Sequence, residues 1–301
     1  MNIFDLRQGL GKFHNYEAFK FPGGELHIKL PQATIEYMRI QQSLNAQIIT
    51  RLASSDDVIL LILFVDMLKK DRAIDIEVVI RYMPYQQADR DFGQGESFSL
   101  NTICKLLGTL DVQKFTIFDP HSDVSAALLS AMGSRVEIID NSAFVLWALN
   151  STMSIANERI IILSPDAGAF KKIGKLVSKI GFEGEVETAV KNRNIKDGSL
   201  SSTNVYRNDF NKKNVVIIDD ICVGGRTFIE LANVLKDKNI GNLYLIVSHG
   251  IFSNGFKDLK VPFSGIYTTD SWQSKKDITS LAQREWENES DHIVSVNIFE
   301  F

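Results

Sequence analysis

Cysteine, proline and excess positive charge are all scarce in this chain, and each shortage narrows what it can be. Two cysteines in 301 residues, Cys104 and Cys222, give neither a disulfide framework nor a zinc-binding spacing. Six prolines make no stiff linker, and no low-complexity segment occurs. Lys plus Arg number 33 against 37 Asp plus Glu, a net charge of −4 that argues against a basic face for duplex nucleic acid. The longest apolar run, Val58 to Val65, is followed closely by Asp66 and Lys69 and falls short of the roughly 18 residues a membrane span needs. The opening MNIFDLRQGLGKF lacks the basic-then-apolar pattern of a signal peptide. A cytoplasmic protein with no membrane and no nucleic-acid partner is expected. Its length suits two domains at roughly 100–200 residues each.

What the chain does have is a repeated alternation. The segments 75–82, 114–119, 135–140, 159–164, 214–219 and 242–250 are dense in Val, Ile, Leu and Phe without a polar alternate, as parallel strands covered on both faces should be. Helical spacing fills 56–70, 98–108, 123–131, 166–180 and 227–236. The fold class is α/β with mainly parallel sheets flanked by helices, in two similar halves that break near 141–150. We place the first domain at 1–142 and the second at 143–301. Ligands of open α/β sheets bind beyond the carboxyl ends of the strands, so polar residues there deserve scrutiny.

The segment VVIIDDICVGGRT (215–227) is the most informative. Four β-branched residues lead into Asp219 and Asp220, where the strand is expected to end. Gly224 and Gly225 follow, and Arg226 and Thr227 open a helix. Glycines permit a turn whose amides converge on an anion, and a helix N-terminus favours negative charge. Two carboxylates beside such a turn can hold ribose hydroxyls or a divalent cation. The alternative is an ordinary strand–turn–helix joint with a solvated acid pair and Thr227 as cap; the pairing of acids before a double glycine favours the ligand. No G-x-x-x-x-G-K-[ST] occurs, and the GxG at Gly93–Gly95 lacks a third glycine and a strand-to-helix setting.

Hydrophobic strand, Asp-Asp, loop, Gly, Thr resembles the ribose-phosphate motif of type I phosphoribosyltransferases. Further blocks narrow the resemblance to ribose-phosphate pyrophosphokinases (PRPP synthetases): FPGGE (21–25), YMPYQQADR (82–90), GESFSL (95–100), FDPHSD (118–123), SPDAGAFKKIGKL (164–176) and VSHGIFSNG (247–255), in family order. The resemblance implies two tandem phosphoribosyltransferase-like domains. It also implies transfer of the β,γ-diphosphate of ATP to the anomeric hydroxyl of ribose 5-phosphate, with release of AMP. Carried over residue by residue, His121 and Asp166 are implied to bind Mg²⁺, although a lone His is more often a hydrogen-bonded core residue. Asp219 and Asp220 would hold the ribose hydroxyls, and Gly224, Gly225, Arg226 and Thr227 the phosphate. Lys191 and Arg193 would be the catalytic cations on a mobile loop following an apolar strand at 184–190; composition alone would read that loop as a solvated linker. Phe21, Glu25, Gln87, Asp89 and Arg90 would bind ATP. In this family Phe21 and Glu25 would serve a neighbouring subunit's site, so a homodimer or higher homo-oligomer is implied. Taken without the resemblance, Phe21 reads as core.

The chain departs from the family in its binding loops. Val223 to Arg226 replace an acid, a hydroxyl and a glycine of the pentose-phosphate loop, Gln87-Ala88 replaces Arg-Gln, Gly23 replaces an acid, and Asn101 a lysine. Three readings follow. The first is an ordinary PRPP synthetase. The second is the same chemistry on ADP-ribose in NAD⁺ salvage, as in phage-encoded members, with Arg226 pairing the extra phosphate. The third is a non-catalytic regulatory homologue, which would have little reason to keep the full set of catalytic residues. The apolar end 292–301 is expected to pack as a last strand.

Overall fold

A computed structural model describes residues 2–40, 45–70, 75–156, 160–193, 200–285 and 293–296. The chain divides into two compact units, Met1–Asp140 and Asn141–Phe301. The α/β expectation is borne out: each unit is built on a mainly parallel sheet flanked by helices.

The first unit contains β1 (Asn2–Asp5), β2 (Gly11–Lys12), β3 (Glu17–Lys20), β4 (Leu26–Lys29), α1 (Gln32–Ile40), β5 (Ala46–Thr50), α2 (Ser55–Lys70), β6 (Ile76–Ile80), α3 (Ser99–Gly108), β7 (Lys114–Phe118), α4 (Val124–Ala131) and β8 (Arg135–Ile139). β1-β5-β6-β7-β8 form one parallel sheet, and β2-β3-β4 a small antiparallel one. Its core gathers Ile48, Val78, Ile80, Phe115 and Ile117 from the strands against Leu61, Phe64 and Leu68 of α2. The expected strands at 75–82, 114–119 and 135–140 appear within a residue or two of those limits, as do the helices at 56–70, 98–108 and 123–131.

The second unit contains α5 (Ser142–Ala156), β9 (Ile160–Ser164), α6 (Ala167–Lys179), β10 (Glu185–Arg193), β11 (Leu200–Val205), β12 (Asn214–Cys222), α7 (Arg226–Leu235), β13 (Leu243–Gly250), β14 (Gly265–Thr269), α8 (Lys275–Glu285) and β15 (Ile293–Val296). The sheet order is β11-β10-β9-β12-β13-β14-β15, parallel except for the antiparallel β10–β11 arm. The central strand shows why its sequence is uniformly β-branched. Val215 and Ile217 enter the core shared with Phe228 and Leu231 of α7, whereas Val216 and Ile218 enter the core shared with Phe144 and Val145 of α5 and Ile173 of α6. Both faces are covered, so no polar alternate is tolerated. The apolar terminal segment does form a last strand at 293–296, parallel to β14; 297–301 lie outside the described residues. Among the described residues no helix is long and apolar enough to cross a membrane.

Candidate active site

β12 carries the centre of the site. The strand does not stop at the two acids, as its sequence led us to expect, but runs on to Cys222, with Asp219 opposite Val247 and Ile221 opposite His249 of β13. On its other side β12 outruns β9, whose pairing ends at Ile217 opposite Leu163. The two carboxylates therefore stand on a strand supported along one edge only, where their charge need not be fitted between two ladders. Alternation turns them to opposite faces. Asp220 is buried, and Lys172 Nζ of α6 lies 3.7 Å from its Oδ2. Asp219 is half-buried and accepts the Asp220 backbone N–H at 2.9 Å. Burial and then the charges of Asp220 and Asp166 push Asp219 up to about 8, outweighing that hydrogen bond.

Asp166 belongs to the same rim. It is the N-cap of α6, its Oδ1 accepting the Ala169 N–H at 2.9 Å. The three carboxylates thus interact electrostatically at one end of the sheet, with Lys172 as a nearby cation at Asp220. Among the described residues no three His, Cys, Asp or Glu side chains form a ready-made metal cluster. The acid-rich rim is compatible with Mg²⁺, a hard cation usually held by one or two carboxylates, waters and substrate phosphates.

The turn after β12 is fixed from behind. The Cys222 carbonyl accepts Ile251 and Phe252 N–H at 2.9 and 3.2 Å, Val223 O accepts Ser253 N–H at 2.8 Å, and Gly224 O accepts Asn254 Nδ2 at 3.3 Å. With its carbonyls bound to the 251–254 turn, the loop leads into the N-terminus of α7, where the first-turn amides have no helical acceptor. Gly225 is the N-cap with φ 79, and a Cβ there would meet Leu259 at 2.9 Å. Thr227 therefore does not cap the helix. Arg226 has a side chain 89% exposed, held by Glu230 Oε1 at 2.7 Å. An exposed i,i+4 pair is worth only about 0.3–0.5 kcal/mol, so an arriving phosphate can recruit this guanidinium at little cost.

Lys191 and Arg193 lie on β10, not on a loop. Lys191 faces Thr203 and Arg193 faces Leu200 across the antiparallel arm, with a bulge between Asn192 and Arg193. The polar run that reads as a linker is one strand of a two-stranded ribbon, where polar residues are compatible with pairing. Their side chains and residues 194–199 lie outside the described residues.

In the first unit, β7 ends in a tight turn. Asp119 is buried at φ 38 with its N–H on Ile139 O at 2.8 Å, and His121 beyond Pro120 is exposed. The core-residue alternative for His121 does not hold. Gln86 Oε1 accepts the His121 N–H at 3.0 Å, so the 82–90 segment and the 118–123 turn are in contact. Gln87 and Arg90 are exposed; Arg90 Nε is 3.5 Å from Asp89 Oδ1 and its guanidinium stacks 5.9 Å from the Phe92 ring centre. Phe21 and Glu25 close the β3–β4 hairpin through Phe21 N–H to Glu25 O at 2.9 Å. Phe21 is 45% exposed, beside Phe19 and His27, so it is not core.

Sequence reasoning missed Lys172, Gln86 and the buried network behind the turn. In that network His249 Nδ1 lies 2.8 Å from Ser271 Oγ, and Thr269 Oγ1 donates to Ser248 O at 2.6 Å. Lys172 stands six residues after Asp166 in a segment already singled out, and His249 within VSHGIFSNG; both signals were present without an assigned partner. A cavity of about 700 Å³ opens at the opposite end of the second sheet, lined by Leu146, Leu149, Ile160, Phe182, Glu185 and Lys213. It lies far from the paired acids along the strands and shares no residue with the rim.

Both thiols are enclosed. Burial pushes Cys104 and Cys222 up to about 12, with the charge of Asp219 adding to the effect at Cys222. Native protein should show no fast thiol with Ellman's reagent at pH 8 and two after denaturation; a fast thiol before unfolding would contradict the packing.

Paired acids on a central parallel strand, a glycine turn pinned by its carbonyls and a helix start are the features of an α/β domain of the phosphoribosyltransferase class. The chain belongs to the phosphoribosyl transferase domain family, whose profile matches residues 134–296, more than half its length. It is 26% identical over 252 residues to the ribose-phosphate pyrophosphokinase of Pyrococcus abyssi, covering 81% of this chain and 79% of that one. It is 23% identical over 288 residues to that of Methanobrevibacter smithii, covering 89% of each. The fold matches the crystal structure of phosphoribosylpyrophosphate synthetase from Mycobacterium smegmatis with a TM-score of 0.76 at 16% identity, over 99% of this chain and 95% of that one. The resemblance to ribose-phosphate pyrophosphokinases is thus borne out.

Proposed function

We propose that the protein transfers the β,γ-diphosphate of ATP to the anomeric hydroxyl of ribose 5-phosphate, giving PRPP and AMP. The observation that carries this reading is the Asp219–Asp220 pair beside the pinned Gly224–Gly225 turn at the start of α7. Asp219 and Asp220, at the carboxyl end of β12, would engage the ribose hydroxyls. The amides of 224–227 and the Arg226 guanidinium receive the 5-phosphate. The anomeric oxygen then attacks the β-phosphorus in line: its bond to phosphorus forms, the bond from the α–β bridging oxygen to the β-phosphorus breaks, and the hydroxyl proton is released. Such a reaction asks the protein for position and charge more than for covalent chemistry. Lys191 and Arg193 are the catalytic cations, stabilising charge on the transferring group. Phe21, Glu25, Gln87, Asp89 and Arg90 hold the nucleotide, with Phe21 and Glu25 presented on an exposed hairpin suited to a second copy of the chain in a homo-oligomer. His121 in the first unit and Asp166 in the second are each assigned to Mg²⁺ binding; when bound, the ion would neutralise charge on the phosphate oxygens.

The two domains proposed at 1–142 and 143–301 divide this work between nucleotide and acceptor. A second reading, the same chemistry on ADP-ribose in NAD⁺ salvage, rests on Arg226. Its exposed side chain stands one residue beyond Gly225, where it can pair with a phosphate that continues into a further group. Incubation with ATP, Mg²⁺ and either acceptor, with AMP quantified, tests both. AMP dependent on ribose 5-phosphate supports the first reading, and AMP dependent only on ADP-ribose supports the second. No AMP with either leaves a non-catalytic homologue.

A further inference from the structure

We propose that Gln86 is a positioning residue that fixes the turn displaying His121, an inference that rests on the metal-binding role given to His121 above. Gln86 is 2% exposed, although Tyr85 before it and Gln87 after it are both exposed. Its Oε1 accepts the His121 backbone N–H at 3.0 Å across 35 residues of sequence. That contact settles the orientation of the carboxamide: an amide N–H can only donate, so the oxygen must face it. Nε2 is then buried and has no acceptor among the described residues. A buried donor without an acceptor is costly, and a methionine of similar volume would avoid the cost. Packing therefore does not explain a glutamine at this position; the bond to the turn does.

The turn needs that bond. Asp119 sits at φ 38, a conformation non-glycine residues adopt rarely, and its N–H is held by Ile139 O at 2.8 Å. Pro120 follows and has no N–H to give. The next backbone donor is that of His121, and Gln86 takes it. The strained turn is thus pinned at both ends, with His121 exposed on it. Outer partners that hold a metal-binding residue in place typically change metal affinity 10–100-fold. Because Gln86 belongs to the 82–90 segment assigned to the nucleotide, the same bond couples nucleotide seating to the placement of His121.

The test measures binding of Mn²⁺–ATP through water-proton relaxation, in the full-length protein with Gln86→Met, Gln86→Asn, Gln86→Glu and His121→Ala. Gln86→Met should weaken binding about 10-fold while the melting temperature moves by no more than about 3 °C. Gln86→Asn, which is too short to reach, should show the same loss and stands in should the methionine variant fold poorly. Gln86→Glu keeps an acceptor at the same place and should bind within about threefold of the parent. A drop in melting temperature with unchanged Mn²⁺–ATP affinity would show a merely structural residue. If His121→Ala weakens binding and Gln86→Met does not, this inference fails and the role of His121 stands. If neither variant alters binding, the metal role of His121 fails and takes the inference with it.

Discussion

Replacing Asp219 with asparagine raises the melting temperature by about 8 °C at pH 8.5 and leaves it nearly unchanged at pH 4. The reason is the state of the parent carboxyl. In the folded protein its pKa is pushed from 3.8 up to about 8 by burial and by the charges of Asp220 and Asp166. Between those values the folded state keeps a proton that the unfolded state has released, so raising the pH destabilises the fold. Below the lower value both states are protonated and no penalty exists; above the upper one the penalty is complete. Because the shift is shared with Asp220 and Asp219 retains an open face to water, the penalty should be on the order of 3 kcal/mol. A unit of this size gains about 2–4 °C per kcal/mol. Thermal melts of both proteins from pH 4 to 8.5 supply the check. Parallel curves across that range would mean that Asp219 is not held protonated. On the proposed function the gain in stability comes with a loss of activity, the trade expected where charge is concentrated for a ligand.

The parts of the fold legible in the sequence are those whose burial leaves no choice of residue. Val215–Ile218 is covered on both faces, so it could hardly be composed otherwise, and the same holds for Ile160–Leu163. Strands with a single covered face or short ladders were harder to see. β5, AQIIT, contains a glutamine, and β14, GIYTT, buries two threonines and a glycine. β2, β3 and β4 are two to four residues long, too short for periodicity to register. α5 is apolar on nearly every side, SAFVLWALN, and so lacks the 3.6-residue alternation that marks a surface helix. It occupies the stretch where a break between halves was expected, because the repeated strand–helix order located a junction but not a helix beginning at once.

At the site, residue identity was legible and arrangement was not. The acids, the glycines and the Arg-Thr pair were found because few other chemistries place those residues after a buried strand. That β12 continues through the acids depends on how far β9 and β13 extend beside it, which is a property of neighbours distant in sequence. Lys172 and Gln86 were missed for a related reason. Each is an ordinary polar residue until the partner it reaches, Asp220 or His121, is brought to it by the fold. The hairpin position of Lys191 likewise depends on pairing with β11, a strand polar enough to read as linker.

Gly225→Val should abolish acceptor-dependent AMP release, at least 100-fold, and lower stability by about 3 kcal/mol. Two independent costs meet at this position. The backbone is at φ 79, which a β-branched residue adopts only under strain, of order 1–3 kcal/mol. A Cβ would also stand 2.9 Å from a Leu259 methyl and 3.1 Å from its Cγ, an overlap that forces the leucine or the turn to shift. The turn is the element that must yield, because Leu259 is 1% exposed and packed with Phe252, Phe256 and Phe263. Moving it displaces the amides at the start of α7 and breaks the carbonyl bonds from 251–254 that fix them. Gly174→Ala is the matching control. This glycine lies in the middle of α6, with no heavy atom within 4 Å of the added methyl, so the substitution should stabilise by about 0.5–1 kcal/mol and leave AMP release unchanged. The two variants separate a glycine kept for the shape of a binding turn from one the helix would do better without. Retention of parental activity by Gly225→Val would mean that the phosphate is bound elsewhere, since no route leaves this turn in place around a valine.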